Sequence, residues 1–158
     1  MSQLKNKQTP TDVDLDAYNK VLKLASYSME VCKPKQRKDN KGNFHDSKHH
    51  IPMRYSKIGE FINTEITKLG AMVLNANSLY VKENLNIEDR KANYNERIRL
   101  QTVAIAMTFE VEHCIRVLHD HRPFADSTIR YWLYLLVEAR EGVIKWKDSD
   151  VKKRKKLG

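Results

Sequence analysis

One motif in this sequence has residue types and a spacing that could bind a metal: Glu-Val-Glu-His at residues 110–113. In a helix this spacing places a carboxylate and an imidazole on one face. Ferritin-like di-metal sites use the motif on two helices and add a glutamate from each of two others. Only one copy is present here, and Glu138 and Glu141 further along have no histidine partner. Because the ligand count is too low, we expect a solvated acidic face and no metal site.

Histidines form two further groups that could bind a metal or contact phosphate. They are His45, His49 and His50 in one segment, and His119 and His121 in another. Neither group has the paired Cys/His spacing of a structural zinc site. No Gly-rich phosphate loop follows a predicted strand, and no side chain pattern marks an activated nucleophile. We therefore predict a protein that is not an enzyme and has no cofactor and no small-molecule substrate.

The positive charge of the chain is concentrated in two stretches. The formal net charge is +9. Residues 33–57 contain eight Lys or Arg against two Asp, and residues 145–158 contain seven against two. These stretches contribute +6 and +5, so the remaining residues sum to −2. Clustered cations gain free energy by displacing the counterions condensed on a polyanion, which favours a nucleic-acid partner over the alternative that the lysines only increase solubility.

The candidate RNA-binding residues follow from this distribution. In the first stretch they are Lys33, Lys35, Arg37, Lys38, Lys41, Lys48, Arg54 and Lys57, and in the second they are Lys145, Lys147, Lys152, Lys153, Arg154, Lys155 and Lys156. Arginines predicted on the helix surfaces add to them: Arg97, Arg99, Arg116, Arg130 and Arg140. Tyr55 borders the first stretch and could stack on a base or pack against the helix that follows it.

Length and composition favour a single soluble domain. The chain has 158 residues, five Gly and four Pro. Few Gly and Pro argue against an all-β protein with many tight turns. Cys32 and Cys114 each lie within apolar helical periodicity, so we expect buried free thiols in a reducing cytoplasm. No apolar run approaches the length of a membrane span, and no signal-peptide pattern opens the chain.

Apolar spacing predicts four amphipathic helices. The first carries Leu15, Tyr18, Leu22, Ala25, Met29 and Cys32 and is expected to end before Pro34. A long loop without strands follows to about residue 52. The second helix is predicted over residues 53–82, the third over 89–119 and the fourth from about 126 to 147. The second helix carries a stripe through Ile58, Phe61 or Ile62, Ile66, Leu69, Val73, Ala76 and Tyr80. The third carries Leu100, Ala104, Met107, Val111, Cys114 or Ile115, and Leu118, and the fourth carries Ile129, Trp132 or Leu133, Leu136, Ala139 or Arg140, Val143 and Trp146.

The predicted fold is an all-α, antiparallel up-down four-helix bundle. Its long basic loop joins helices one and two, and a basic C-terminal tail follows helix four. The bundle is expected over residues 11–147, and residues 148–158 are expected to be a flexible tail because they are too charged to pack. Gly59 and Gly70 are expected at close helix–helix approaches.

Several short motifs resemble a known family. They are IPMRYSKIGE at residues 51–60, Ala76-Asn77 near the end of the same helix, and GVIKWK at residues 142–147. Across residues 15–147 the chain is similar to a bacterial four-helix-bundle family. That family includes the accessory variability determinant (Avd) of diversity-generating retroelements and proteins encoded in ribosomal-RNA intervening sequences. Arg116 matches a family arginine, whereas Glu112 stands where another is expected, which shifts the expected RNA contacts towards the loop and tail.

The resemblance implies a function without catalysis. Avd proteins form a positively charged homopentamer that binds the reverse transcriptase and its template-region RNA and supports error-prone cDNA synthesis. The leading hypothesis is therefore a reverse-transcriptase accessory protein that binds RNA. The alternative is a helical scaffold of the same family that binds only protein, with its basic segments docked on an acidic surface of an enzyme.

Overall fold

The computed structural model describes residues 15–121 and 124–158 and contains four α-helices within them. They are α1 (Asp16–Val31), α2 (Ser56–Ser78), α3 (Ile87–His121) and α4 (Asp126–Lys156). Two short strands, β1 (Gln36–Lys38) and β2 (Phe44–Asp46), and a 3-10 helix (Met53–Tyr55) lie between α1 and α2. The predicted domain start at residue 11 and the Arg122-Pro123 part of the last connection lie outside the described residues.

The four helices pack around one core. In the main contacts, α1 packs against α2 and α4, and α3 packs against the same two helices. The all-α class and the four packed helices are thus confirmed. No helix within the described residues is long and apolar enough to cross a membrane.

Most stripe residues predicted for α2, α3 and α4 are buried, although the helix ends differ. The buried ones are Ile62, Ile66, Leu69, Val73, Ala76, Ala104, Met107, Val111, Ile115, Leu118, Ile129, Trp132, Leu136, Ala139, Arg140 and Val143. Ile58, Leu100, Cys114, Leu133 and Trp146 are half-buried. The prediction was wrong for Phe61, which is 48% exposed, and for Tyr80, which lies beyond the end of α2 and is 39% exposed. α2 is shorter at both ends than the predicted 53–82, because the chain enters through the 3-10 turn and leaves with Leu79 in an extended conformation. α3 extends the predicted 89–119 by two residues at each end.

The stripe predicted for α1 was correct only in part. Cys32 is buried, and Leu15, Tyr18 and Ala25 are partly buried against the core. Leu22 is 44% exposed and Met29 is 68% exposed, so the prediction was wrong at these two positions. The fully buried side chains of α1 are Ala17, Val21, Leu24, Ser28 and Val31. Both sets have helical spacing, so periodicity alone could not separate them. Ser28 is fully buried because its hydroxyl accepts a hydrogen bond from the indole N–H of Trp132, at 2.5 Å.

The loop after α1 was predicted without strands, and this too was wrong. β1 and β2 form an antiparallel hairpin in which Gln36 pairs with Asp46 and Lys38 pairs with Phe44. All six strand residues are exposed. The hairpin therefore has no alternation of buried and exposed positions, which is the pattern that identifies most strands in a sequence.

The predicted flexible tail is part of α4. This helix continues to Lys156, and Asp150 within the supposed tail is only 1% exposed. The Asp150 carboxylate accepts hydrogen bonds from Arg97 Nε at 2.9 Å, Arg97 Nη2 at 3.1 Å and Gln101 Nε2 at 2.7 Å. The guanidinium of Arg97 also lies 5.2 Å from the ring centre of Trp146. This buried ion pair joins the end of α4 to α3.

Glycines allow close helix contacts at two places. A Cβ atom on Gly59 would lie 3.1 Å from Ile51 Cδ1 and 3.3 Å from Cys32 Cβ. A Cβ on Gly142 would lie 3.3 Å from the backbone Cα of Ala17. The close approach predicted at Gly59 is confirmed. At Gly70 the nearest atom would be Val21 Cγ1 at 3.6 Å, an ordinary van der Waals distance, so no special approach is required there.

Candidate nucleic-acid interface

Asp39 organises the tip of the basic hairpin, which we define as residues 33–50. Its Oδ1 accepts hydrogen bonds from the backbone N–H groups of Lys41 and Asn43, both at 2.9 Å, and its Oδ2 lies 2.8 Å from His45 Nε2. The hydrogen bond to His45, followed by that from Asn43, lowers the pKa of Asp39. Gly42 takes the positive φ of 85° that the turn requires. The turn thus has a defined shape.

Several contacts fix the basic hairpin to one end of the bundle. The backbone N–H of Ala125 donates to the carbonyl of Lys48 at 2.6 Å, and His49 Nδ1 lies 2.9 Å from the Thr128 hydroxyl. Both Ala125 and Thr128 belong to the start of α4. On the other side, His50 Nε2 lies 3.0 Å from Oε1 of Glu30, near the end of α1. The hairpin is therefore held between α1 and α4.

Most cations of the first stretch are exposed and unpaired. All eight are exposed: Lys33, Lys35, Arg37, Lys38, Lys41, Lys48, Arg54 and Lys57. Lys35 forms an ion pair with Glu30. Within the described parts of the chain, none of the other seven has an acidic partner. These side chains are free to contact phosphate, as predicted for an electrostatic surface.

The second cluster, which we call the basic helix end, comprises residues 145–158. Lys145, Lys152, Lys153, Lys155 and Lys156 are exposed, and Lys147 and Arg154 are half-buried. Arg154 Nε donates to Asn95 Oδ1 at 2.9 Å. Because the helix is continuous, these cations point in fixed directions around its axis, whereas a frayed tail would not fix them.

The two clusters lie at opposite ends of the bundle. The basic hairpin contacts the first residues of α4 through Ala125 and Thr128, and the basic helix end is the last part of the same helix. Since α4 has 31 residues, its length is about 46 Å at 1.5 Å per residue. The two basic stretches identified in the sequence therefore form two separate surfaces, and their separation along the bundle could not be predicted from the sequence.

The arginines predicted on the helix surfaces divide into two groups. Arg116 pairs with Glu112 at 3.0 Å, Arg130 pairs with Asp126 at 2.8 Å, and Arg99 pairs with Glu96 at 2.6 Å. These three are exposed but partly neutralised.

Arg140 and Arg97 are buried, and their assignment to the RNA-contacting surface was wrong. Arg140 is 8% exposed and donates to the Thr108 hydroxyl at 2.8 Å and to Glu112 at 2.8 Å. Its guanidinium also lies 3.7 Å from the ring centre of Phe109. Arg97 is 9% exposed and binds Asp150. Both guanidinium groups are therefore used inside the protein.

Sequence reasoning missed one aromatic candidate. Phe44 on β2 is 66% exposed, and Lys38 Nζ lies 5.9 Å from its ring centre. An exposed ring beside lysines is typical of surfaces that stack on unpaired bases. Phe44 could have been identified from the sequence, because it is a lone aromatic residue in a polar segment and has no apolar neighbours at helical spacing. Tyr55, the candidate named from the sequence, is half-buried against the core. The centre of its ring lies 6.0 Å from the centre of the His121 ring.

The residues considered for metal binding do not come together. Glu110 and His113 are both exposed on α3, and Glu112 is occupied by Arg140 and Arg116. Within residues 15–121 and 124–158, no group of three His, Cys, Asp or Glu could hold a metal ion. Cys32 is buried, Cys114 is half-buried, and both are free thiols. Burial raises the pKa of Cys32 to about 12.

The geometry therefore describes a helical bundle with a cationic surface at each end. Comparison of the chain with known protein families, with curated proteins and with solved structures found no match.

Proposed function

We propose that this protein is a non-enzymatic accessory factor of a diversity-generating retroelement, similar to Avd, that binds RNA and reverse transcriptase. The observation that supports RNA binding best is the set of exposed, unpaired cations on the basic hairpin. The hairpin is rigidly attached, so its cations are held together on one surface. The link to the retroelement rests on the resemblance of the motifs at residues 51–60 and 142–147.

The finer fold and assembly belong to the same proposal. We propose an antiparallel up-down bundle, because early residues of one helix contact late residues of its neighbour. Arg97 in α3 binds Asp150 in α4, and Trp132 in α4 binds Ser28 in α1. The family resemblance adds a homopentamer, template-region RNA as the ligand, and a location in the cytoplasm. The free thiols of both cysteines fit a reducing compartment.

The first experiment measures the affinity for a structured RNA as a function of salt concentration. If about six phosphates are neutralised, the affinity falls roughly a thousandfold between 50 and 200 mM salt. Replacing both Lys38 and Lys41 with Gln removes two unpaired cations at the hairpin tip. This variant should reduce the slope of log K against log salt by about 2, because each phosphate contact contributes about 0.9.

The matched control is Lys23→Gln, which removes one exposed cation from the side of α1 and is compared with Lys41→Gln alone. Lys23 has no acidic partner among the described residues, so this change breaks no ion pair. The control should keep the slope of the unmodified protein. A salt-independent affinity, or an equal loss of slope in both variants, would contradict a dedicated RNA surface on the hairpin. Sequence specificity is not expected, since phosphate contacts position a protein without reading bases.

A second candidate function is a scaffold that binds only protein. It is favoured by large apolar side chains that remain exposed on α3 and α4: Val103, Phe109, Val117, Tyr131, Tyr134 and Val137. Exposed apolar side chains of this size are typical of protein–protein contacts when they are contiguous. A pull-down with a reverse transcriptase, compared with direct RNA binding, separates the two candidates. Capture of the enzyme by a protein that ignores RNA at low salt would support the scaffold.

A further inference from the structure

A basic pocket lies at the end of the bundle opposite the hairpin. It has a volume of about 640 Å³, and its charged and aromatic lining residues are Lys82, Glu83, Arg90, Tyr94, Lys153 and Lys156. Three parts of the chain meet here: the connection between α2 and α3, the beginning of α3, and the last turn of α4. The volume falls within the range typical of small-ligand sites, about 300–1,000 Å³.

The charges of this pocket favour an anion. Four cations and one carboxylate line it. Lys82, Lys153 and Lys156 are exposed and have no acidic partner among the described residues. Arg90 uses its Nε to donate to the Val81 carbonyl at 3.3 Å, which orients the guanidinium and leaves its terminal nitrogens available. An oriented guanidinium beside mobile ammonium groups suits phosphate, which arginine can bind with two parallel hydrogen bonds.

A purely structural role explains only part of this arrangement. Lysines in the last turn of a helix interact favourably with the helix dipole, which accounts for Lys153 and Lys156. It does not account for Lys82 or Arg90, which come from other elements and face the same space. Since Coulomb repulsion opposes the convergence of four cations, an anion between them would relieve an unfavourable interaction.

The lining of the pocket offers no accessible aromatic ring on which a base could stack. Tyr94, its aromatic lining residue, is 4% exposed, so its ring face is not accessible for stacking. Tyr80 outside the lining is covered by Lys82, whose Nζ lies 5.5 Å from the ring centre. We propose that this pocket binds an oligophosphate chain, as found at the end of a nucleoside triphosphate or at the 5′ end of an unprocessed RNA. This inference does not depend on the proposed function, because a free nucleotide carries the same group.

The test uses sodium tripolyphosphate and the full chain, with binding measured by calorimetry at 50 mM salt. One ion should bind per chain. Replacing Lys153 and Lys156 with Gln should weaken binding about tenfold, since hydrogen bonds to charged groups are lost. The matched control replaces Lys152 and Lys155, which lie on the same helical turns but do not line the pocket. It has the same net charge, and its affinity should change less than twofold.

Lys82→Gln provides an independent variant, because Lys82 lies 71 positions before Lys153 and outside any helix. It should also weaken binding severalfold, and circular dichroism of each variant confirms that the helices are intact. No saturable binding by the unmodified protein, or equal losses in the pocket variant and the control, would overturn the proposal. Loss of RNA affinity in the hairpin variants has no bearing on this result, so the two proposals fail separately.

The source of the phosphate chain is identified by competition. An RNA oligonucleotide with a 5′ triphosphate is compared with the same oligonucleotide bearing a 5′ hydroxyl, and both are compared with ATP. A preference for the triphosphorylated RNA that disappears in the Lys153→Gln, Lys156→Gln variant assigns the pocket to an RNA end. Equal binding of the two RNAs, with displacement of tripolyphosphate by ATP, assigns it to a free nucleotide.

Discussion

Replacing Asp150 with Ala removes the acid of the buried ion pair and leaves Arg97 without its partner. The Asp150 carboxylate is 1% exposed and accepts three hydrogen bonds, two from Arg97 and one from Gln101. Removing one member of a buried pair costs about 3–5 kcal/mol, because an uncompensated charge stays buried. For a chain of this size each kcal/mol lowers Tm by roughly 2–4 °C, so Tm should fall by roughly 6–20 °C.

Thermal and urea unfolding, followed by circular dichroism, measure this loss. Amide hydrogen exchange locates it, because the last turns of α4 depend on Asp150 for their attachment to α3. Those turns should lose protection first. Replacing the pair with apolar side chains, as in Arg97→Met with Asp150→Leu, should cost less than Asp150→Ala alone.

The control is Asp148→Ala, which removes the same charge two residues earlier. Asp148 is exposed, so the free energy of unfolding should change by less than about 0.5 kcal/mol. If Asp150→Ala costs no more than this control, or if the protection of the last turns is unchanged, the ion pair does not hold the helix end in place.

Two further predictions concern glycines and pH. Gly70→Ala should stabilise the protein by up to about 1 kcal/mol, since its Cβ has room and alanine favours helix. Gly142→Ala should destabilise it by about 1–3 kcal/mol in the same urea titration, because the added methyl meets the Ala17 backbone. Lys35 and then His50, by hydrogen bonding, lower the pKa of Glu30 from its usual 4.5 to about 2. Glu30→Gln should therefore lower Tm at pH 6 but not at pH 2.

The sign of the pH effect follows from the direction of the shift. A carboxylate with a lowered pKa in the folded state adds stability above the unfolded pKa and loses it as the pH falls from about 4.5 to 2. The control is Glu141→Gln, which changes an exposed carboxylate with no basic partner among the described residues, and this variant should show the same change in Tm at both pH values. A Glu30 carboxyl signal that titrates near 4.5 by NMR would contradict the shift. For the glycines, equal effects of the two alanines would show that the contact with Ala17 can relax.

The sequence predicted the helices and the core where the apolar pattern was long and unambiguous. The centre of the α2 stripe, from Ile62 to Val73, is buried as expected because its apolar residues recur at steps of three and four. In α1 two registers had helical spacing, and the choice between them depended on Trp132, which lies 104 residues away and selects Ser28. Local periodicity carries no information about such a partner.

The candidate site was predictable in composition but not in geometry. The cations of residues 33–57 were identified from the sequence, yet the hairpin that carries most of them is exposed on both faces and has no apolar alternation to detect. The Asp39, Gly42 and Asn43 turn was the available signal. The end of α4 was mistaken for a tail because Asp150 binds Arg97, which is 53 positions away. Arg140 was assigned to the surface for the same reason, because its hydrogen-bond partner Thr108 lies on another helix.

The distance between the two cationic surfaces sets a condition on any polyanion that would contact both. The basic hairpin meets the first residues of α4, and the basic helix end begins at Lys145, 19 positions after Asp126. At 1.5 Å per residue the nearest cations of the two surfaces are separated by about 28 Å along the helix, and the farthest by about 46 Å. A polyanion shorter than the nearer distance could contact only one surface of a single chain at a time. For a longer one the second contact would be intramolecular, with an effective concentration set by the length of helix between the surfaces.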